Sequence, residues 1–121
     1  MTMSEFPAVR VLADAGRLEE GAGARFSVVL DGLRHDAFVV RWRGGLHAYL
    51  NTCRHELLNL DFGDARFFDD DYDALVCCHH GARYRPDSGA CIDGPCAGGR
   101  LTPLALEQRG AELWCVGAKR G

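Results

Sequence analysis

Two short clusters of metal-binding side chains, Cys53-Arg54-His55 and Cys77-Cys78-His79-His80, constrain this chain more than any other feature of its sequence. They are separated by 21 residues and read as C-x-H followed by C-x-x-H. Each offers one thiolate and one imidazole, so the chain has to place two loops side by side for Cys53, His55, Cys77 and His80 to act together. In a plain zinc finger the cysteines come as one pair and the histidines as another, whereas here the donor types are mixed within each pair.

The chain carrying these clusters has 121 residues, the size of one domain, and residues 1–121 are read as a single unit with no room for a second catalytic domain. Its 47% hydrophobic and 26% charged residues suit a folded globular protein. No apolar run approaches the roughly 18 residues that cross a bilayer, and the first residues lack a basic-then-apolar export pattern, so a cytoplasmic protein with no membrane partner is expected. The net charge is −3, and residues 56–73 hold seven acids (Glu56, Asp61, Asp64, Asp69, Asp70, Asp71 and Asp73) against Arg66 alone, which argues against a nucleic-acid partner. Six cysteines in so short a chain could form a disulfide scaffold, but in a reducing compartment metal binding is the better reading.

Short runs of β-branched and aromatic residues separated by glycine turns predict antiparallel all-β structure, and helix signals are weak. Strands are expected over 26–30, closed by Asp31-Gly32, and over 37–42 and 46–50, joined at Gly44-Gly45. A further hairpin is expected from 104–107 and 113–116 about Arg109-Gly110, and residues 74–76 run as a strand into Cys77. Between the two clusters the pattern dissolves into a long loop with room for a short helical turn.

Two thiolates on one iron and two imidazoles on the other make the ligation of a Rieske [2Fe–2S] centre. The sequence resembles the Rieske ferredoxin family beyond the ligands, continuing as His80-Gly81-Ala82-Arg83-Tyr84, then Asp87-Ser88-Gly89 and Gly94-Pro95. The resemblance implies a Rieske-type β-sandwich with a small cluster-binding subdomain and three cluster-binding loops, about 51–60, 77–84 and 91–99. It implies one [2Fe–2S] cluster, with Gly81, Tyr84, Gly94 and Pro95 around it and Gly94-Pro95 in the covering loop. Two departures stand out. The gap between His55 and Cys77 is longer than the family's usual one, which an acidic insertion accommodates. The extra disulfide of the high-potential branch is missing, because Leu58 and His79 stand where its cysteines would be.

In the family's ligation two ferric ions, two sulfides and two thiolates cancel to zero net charge, so adding an electron costs less than in a four-thiolate cluster and the potential is higher. Tyr84 matches the tyrosine donor of high-potential relatives, but Ala82 replaces their serine, which places this chain at the low end of the Rieske range of about −150 to +300 mV. The resemblance implies a one-electron carrier between a flavin-containing reductase and a terminal oxygenase, with no substrate site of its own. Two alternatives are a small subunit of an assimilatory nitrite reductase and a structural zinc-binding module.

Other residues have plainer readings. Cys91 and Cys96 flank the Gly94-Pro95 turn and could pair, although a reducing setting favours thiols. Cys78 reads as filler, Cys115 as a strand residue, and His79 as an exposed neighbour of the ligands. His35 and His47 sit in strand patterns and read as structural or surface residues. Trp42, Tyr49 and Trp114 fit packing better than electron conduction. The run Asp69-Asp70-Asp71 is either solvated surface or a docking patch for a basic partner.

Overall fold

In the computed structural model, residues 4–30, 32–50, 68, 74–76, 83–93 and 101–118 are described. They form nine strands in two antiparallel sheets. The larger contains β1 (Ser4–Leu12), β2 (Gly23–Leu30), β3 (Leu33–Trp42), β4 (Gly45–Leu50), β8 (Pro103–Arg109) and β9 (Glu112–Ala118), in the order β1-β9-β8-β4-β3-β2. The smaller contains β5 (Leu75–Val76), β6 (Arg83–Tyr84) and β7 (Cys91–Asp93), in chain order. The outer strands β1 and β2 of the large sheet approach each other. The sheet therefore curls round on itself, helped by register shifts in β1–β9 and β8–β9. All-β architecture is as the sequence indicates; among the described residues only the short 3₁₀ helix Ala15–Arg17 departs from it.

β3 explains how the two sheets become one structure. Its run Ala37-Phe38-Val39-Val40 is apolar at every position and wholly buried, as expected of a strand covered on both faces. Ala37 and Val39 point into the curl of the large sheet, where they meet Val28, Ala48, Leu104, Leu113 and Cys115. Phe38 and Val40 point to the opposite face, where they meet Tyr49, Leu75, Tyr84, Cys91 and Leu101. The second cluster is the seam between the sheets. Each large apolar side chain fully buried there contributes about 1.5–3 kcal/mol.

Turn chemistry sets the registers. β3 and β4 meet through Arg43 and Gly44, at φ +50° and +80°, with Trp42 opposite Gly45. Two positive φ values at the centre of a two-residue loop match the right-handed twist of the strands. Glu20 secures this turn, its carboxylate accepting from the amide of Arg43 and from that of Gly44 at 2.9 Å. Arg41 ties β3 to the chain before β2, donating through Nη2 to the Ala15 carbonyl at 2.7 Å and through Nε to that of Leu18 at 2.5 Å.

Strand positions expected from sequence fall inside β2, β3, β4, β5, β8 and β9, several of them longer than expected. β1, β6 and β7 are additional. Ala74 is a bend rather than the first residue of β5.

Candidate metal centre

The four candidate ligands Cys53, His55, Cys77 and His80 lie outside the described residues, as do Gly81, Gly94 and Pro95, Cys78, His79, Cys96 and the acidic run Asp69-Asp70-Asp71. The strands that deliver the ligand-bearing segments are described. β4 ends at Leu50, shortly before Cys53. β5 ends at Val76, directly before Cys77, and β6 begins at Arg83. Val76 faces Arg83 and Leu75 faces Tyr84, so the β5–β6 pair closes a loop of six residues, 77–82. That loop holds Cys77 and His80 at C-x-x-H spacing. The third segment leaves β7 at Asp93 and returns at Leu101.

The roots of these segments are stitched together. The Leu50 amide donates to the Thr102 carbonyl at 3.1 Å, joining the end of β4 to the chain after the third segment. The Leu101 amide donates to the Gly89 carbonyl at 2.8 Å. Between β6 and β7 the chain turns through Arg85-Pro86-Asp87-Ser88-Gly89, a composition suited to a turn. The Arg85 carbonyl accepts from the Gly89 amide at 2.8 Å, and the Arg85 amide donates to the Ala90 carbonyl at 2.9 Å. From the large sheet, the Tyr49 hydroxyl donates to the Pro86 carbonyl at 2.8 Å, a buried bond.

Tyr84, the residue expected beside the cluster, is fully buried between Leu75 and Cys91 in the seam. Cys91 is likewise buried on β7, and Cys96, with which it could pair, lies outside the described residues. Cys115 is buried on β9 as a strand residue, as expected. Desolvation pushes its thiol pKa up, and it donates weakly to the Gly117 carbonyl at 3.9 Å. It stays a neutral packing group.

At the edge of the site, Arg85 grips Asp87 through two bonds, Nε to Oδ1 at 3.1 Å and Nη2 to Oδ2 at 3.0 Å. The Arg85 hydrogen bond is the main reason the Asp87 carboxyl lies below the usual range, and the charge of His47 adds to it. His47 thus has a neighbour that its sequence context did not reveal. It and Asp87 line a groove of about 190 Å³ with Leu46, Leu104 and Leu106, where the β4–β8 ladder stops after Ala48–Leu104 and Tyr49–Pro103. The aromatic residues pack as expected: Tyr49 lies tilted against Phe38 with ring centroids 5.9 Å apart, and Trp42 and Trp114 lie under Arg43 and Arg109.

By residue type the donor set of two cysteines and two histidines suits a Rieske cluster, and described strands lead to each pair, β4 ending at Leu50 and β5 at Val76. Among the described residues no group of three or more His, Cys, Asp or Glu could hold a metal ion, and no helix is long and apolar enough to cross a membrane.

A family model, the Rieske [2Fe-2S] domain, matches residues 10–107. That is most of the chain, and the protein belongs to the Rieske [2Fe-2S] domain family, whose fold carries a [2Fe–2S] cluster. The structure is similar to the ferredoxin of carbazole 1,9a-dioxygenase from Nocardioides aromaticivorans IC177, with TM-score 0.69 and 28% identity over 93% of this chain and 98% of that one. It is also similar to a chain from the complex of reduced oxygenase and oxidized ferredoxin in carbazole 1,9a-dioxygenase, with TM-score 0.74 and 23% identity over 94% and 96% of the two chains. The terminal oxygenase of carbazole 1,9a-dioxygenase from Novosphingobium sp. KA1 shares the fold at TM-score 0.75 and 15% identity, over 98% of this chain but 32% of that one. Among curated proteins none matches the sequence.

Proposed function

We propose that this protein is a Rieske-type ferredoxin that carries single electrons from a flavin-containing reductase to a terminal oxygenase or related oxidoreductase and turns over no substrate of its own. The observation that carries the reading is its near end-to-end alignment with a dioxygenase ferredoxin, which accounts for 93% of this chain and 98% of that one. An oxygenase subunit of the similar fold is three times as long, as the 32% coverage shows.

In this reading Cys53 and Cys77 hold one iron as thiolates, and His55 and His80 hold the other through neutral imidazoles. The bound cluster supplies one-electron redox chemistry near zero net charge. Tyr84 would donate its hydroxyl to a sulfur of the cluster or its ligands, which would favour the reduced form. The wholly buried apolar seam of Phe38, Val40, Leu75 and Leu101 holds together the two sheets whose strands lead to the ligand pairs. Gly81, Gly94 and Pro95 are the residues that would flank the bound group. Residues 1–121 act as one Rieske domain.

The experiment is an anaerobic reductive titration of the purified protein followed by visible absorption and EPR. Uptake of one electron per chain, followed by reoxidation by a Rieske oxygenase without release of product from the ferredoxin alone, supports the proposal. A colourless protein containing zinc and no acid-labile sulfide contradicts it.

A further inference from the structure

The ring of Tyr49 is the point where the chain segments leading to all three proposed cluster-binding loops meet, two of which carry the proposed ligands. Tyr49 is itself the next-to-last residue of β4, so its backbone leads through Leu50 toward Cys53. Its hydroxyl, buried, reaches the Pro86 carbonyl on the turn that follows β6 and hence the loop of Cys77 and His80. Gly89, on the same turn, lies so close to the ring that a Cβ there would come within 2.8 Å of Tyr49 Cε1 and 3.3 Å of Leu101 Cβ. Leu101 closes the third segment, and its amide is bonded to the Gly89 carbonyl. The hydroxyl bond joins residues 37 apart in the sequence, and the Tyr49 side chain that makes it is 2% exposed.

A buried hydroxyl bonded to a carbonyl resists local opening, because losing the bond leaves the carbonyl without its donor in a low-dielectric setting. The large sheet cannot slide against the small one without breaking it. We infer that Tyr49 is a positioning residue for the cluster-binding end, its hydroxyl fixing the β6–β7 turn and its ring the return of the third segment, so that the three loops keep one spacing. This rests on the ligand assignment proposed above, but it assigns Tyr49 no contact with the cluster.

The test compares the cluster-loaded native protein with Tyr49→Phe, which keeps the ring and loses the hydroxyl. Phe38→Leu serves as a control that loosens the same core but leaves the Tyr49–Pro86 bond. Cluster release to excess EDTA is followed by visible absorbance under conditions where all three are folded, together with the EPR spectrum of the reduced state. The expected result is release about tenfold faster in Tyr49→Phe, the worth of one buried hydrogen bond, with displaced or broadened EPR lines, while Phe38→Leu releases at close to the native rate with native lines. Equal release by Tyr49→Phe and native protein overturns the inference. So does a Phe38→Leu variant as fast as Tyr49→Phe, which would reduce Tyr49 to general core packing. A Cys53→Ala variant that retained an unaltered cluster would overturn the ligand assignment itself, whatever Tyr49→Phe showed.

Discussion

Gly89 presses against Tyr49 closely enough that even a methyl group on it would sit 2.8 Å from the ring. Its φ of +75° is also one that side-chain-bearing residues rarely adopt. The two penalties act together here and separately elsewhere: Gly32 and Gly110 have φ of +78° and +64° with nothing within 4 Å of a built Cβ.

Gly89→Ala should therefore cost about 2–5 kcal/mol, the sum of a left-handed backbone penalty and overpacking. Gly110→Ala should cost only about 1 kcal/mol. Denaturant melts of the two variants check this. Equal losses would show that the Tyr49 ring yields freely to a methyl group.

Tyr84→Phe should lower the reduction potential by about 40 mV, taking one hydrogen bond at about 1 kcal/mol net and a one-electron couple. Its complete burial in the seam makes this substitution conservative for packing. Protein-film voltammetry reads the shift, and an unchanged potential would show that the hydroxyl bonds something other than a sulfur.

Glu20 gives a prediction about acid. The amides of Gly44 and Arg43 bind its ionised carboxylate and hold its pKa below the 4.5 of an unperturbed glutamate. The native state therefore binds its proton less readily than the unfolded chain does. The stabilisation is fully present above about pH 4.5 and is lost as pH falls through the lower folded-state value. Melting temperatures measured from pH 6 to pH 3 should fall less steeply for Glu20→Gln than for the native protein. Parallel profiles would mean that the hairpin does not depend on this carboxylate.

The sequence shows some of this architecture plainly. The unbroken apolar run 37–40 marks a strand covered on both sides, and Gly44 and Gly110 mark hairpins because only certain residues take positive φ readily. The ligand pairs stand out because thiolate and imidazole mixed at C-x-H and C-x-x-H spacing suit few structures. β1 is less visible, since its one partner lies about a hundred positions away in β9. β6 and β7 are two and three residues long, too short for a period to register. The Tyr49–Pro86 bond has no local signal, because nothing around either residue shows that they will meet. His47 is similar: its neighbour Asp87 comes from a turn that only the folded chain brings near.

Whether Cys53, His55, Cys77 and His80 hold a Rieske cluster is decided by EPR of the dithionite-reduced protein, with Cys77→Ala and Cys78→Ala compared. These neighbours differ only in which of them the C-x-x-H spacing assigns to iron. Cys77→Ala should lose the Rieske signal, together with its iron and acid-labile sulfide, while Cys78→Ala keeps all three. An unaltered cluster signal in Cys77→Ala, or its loss in Cys78→Ala alone, would rule out this ligand set.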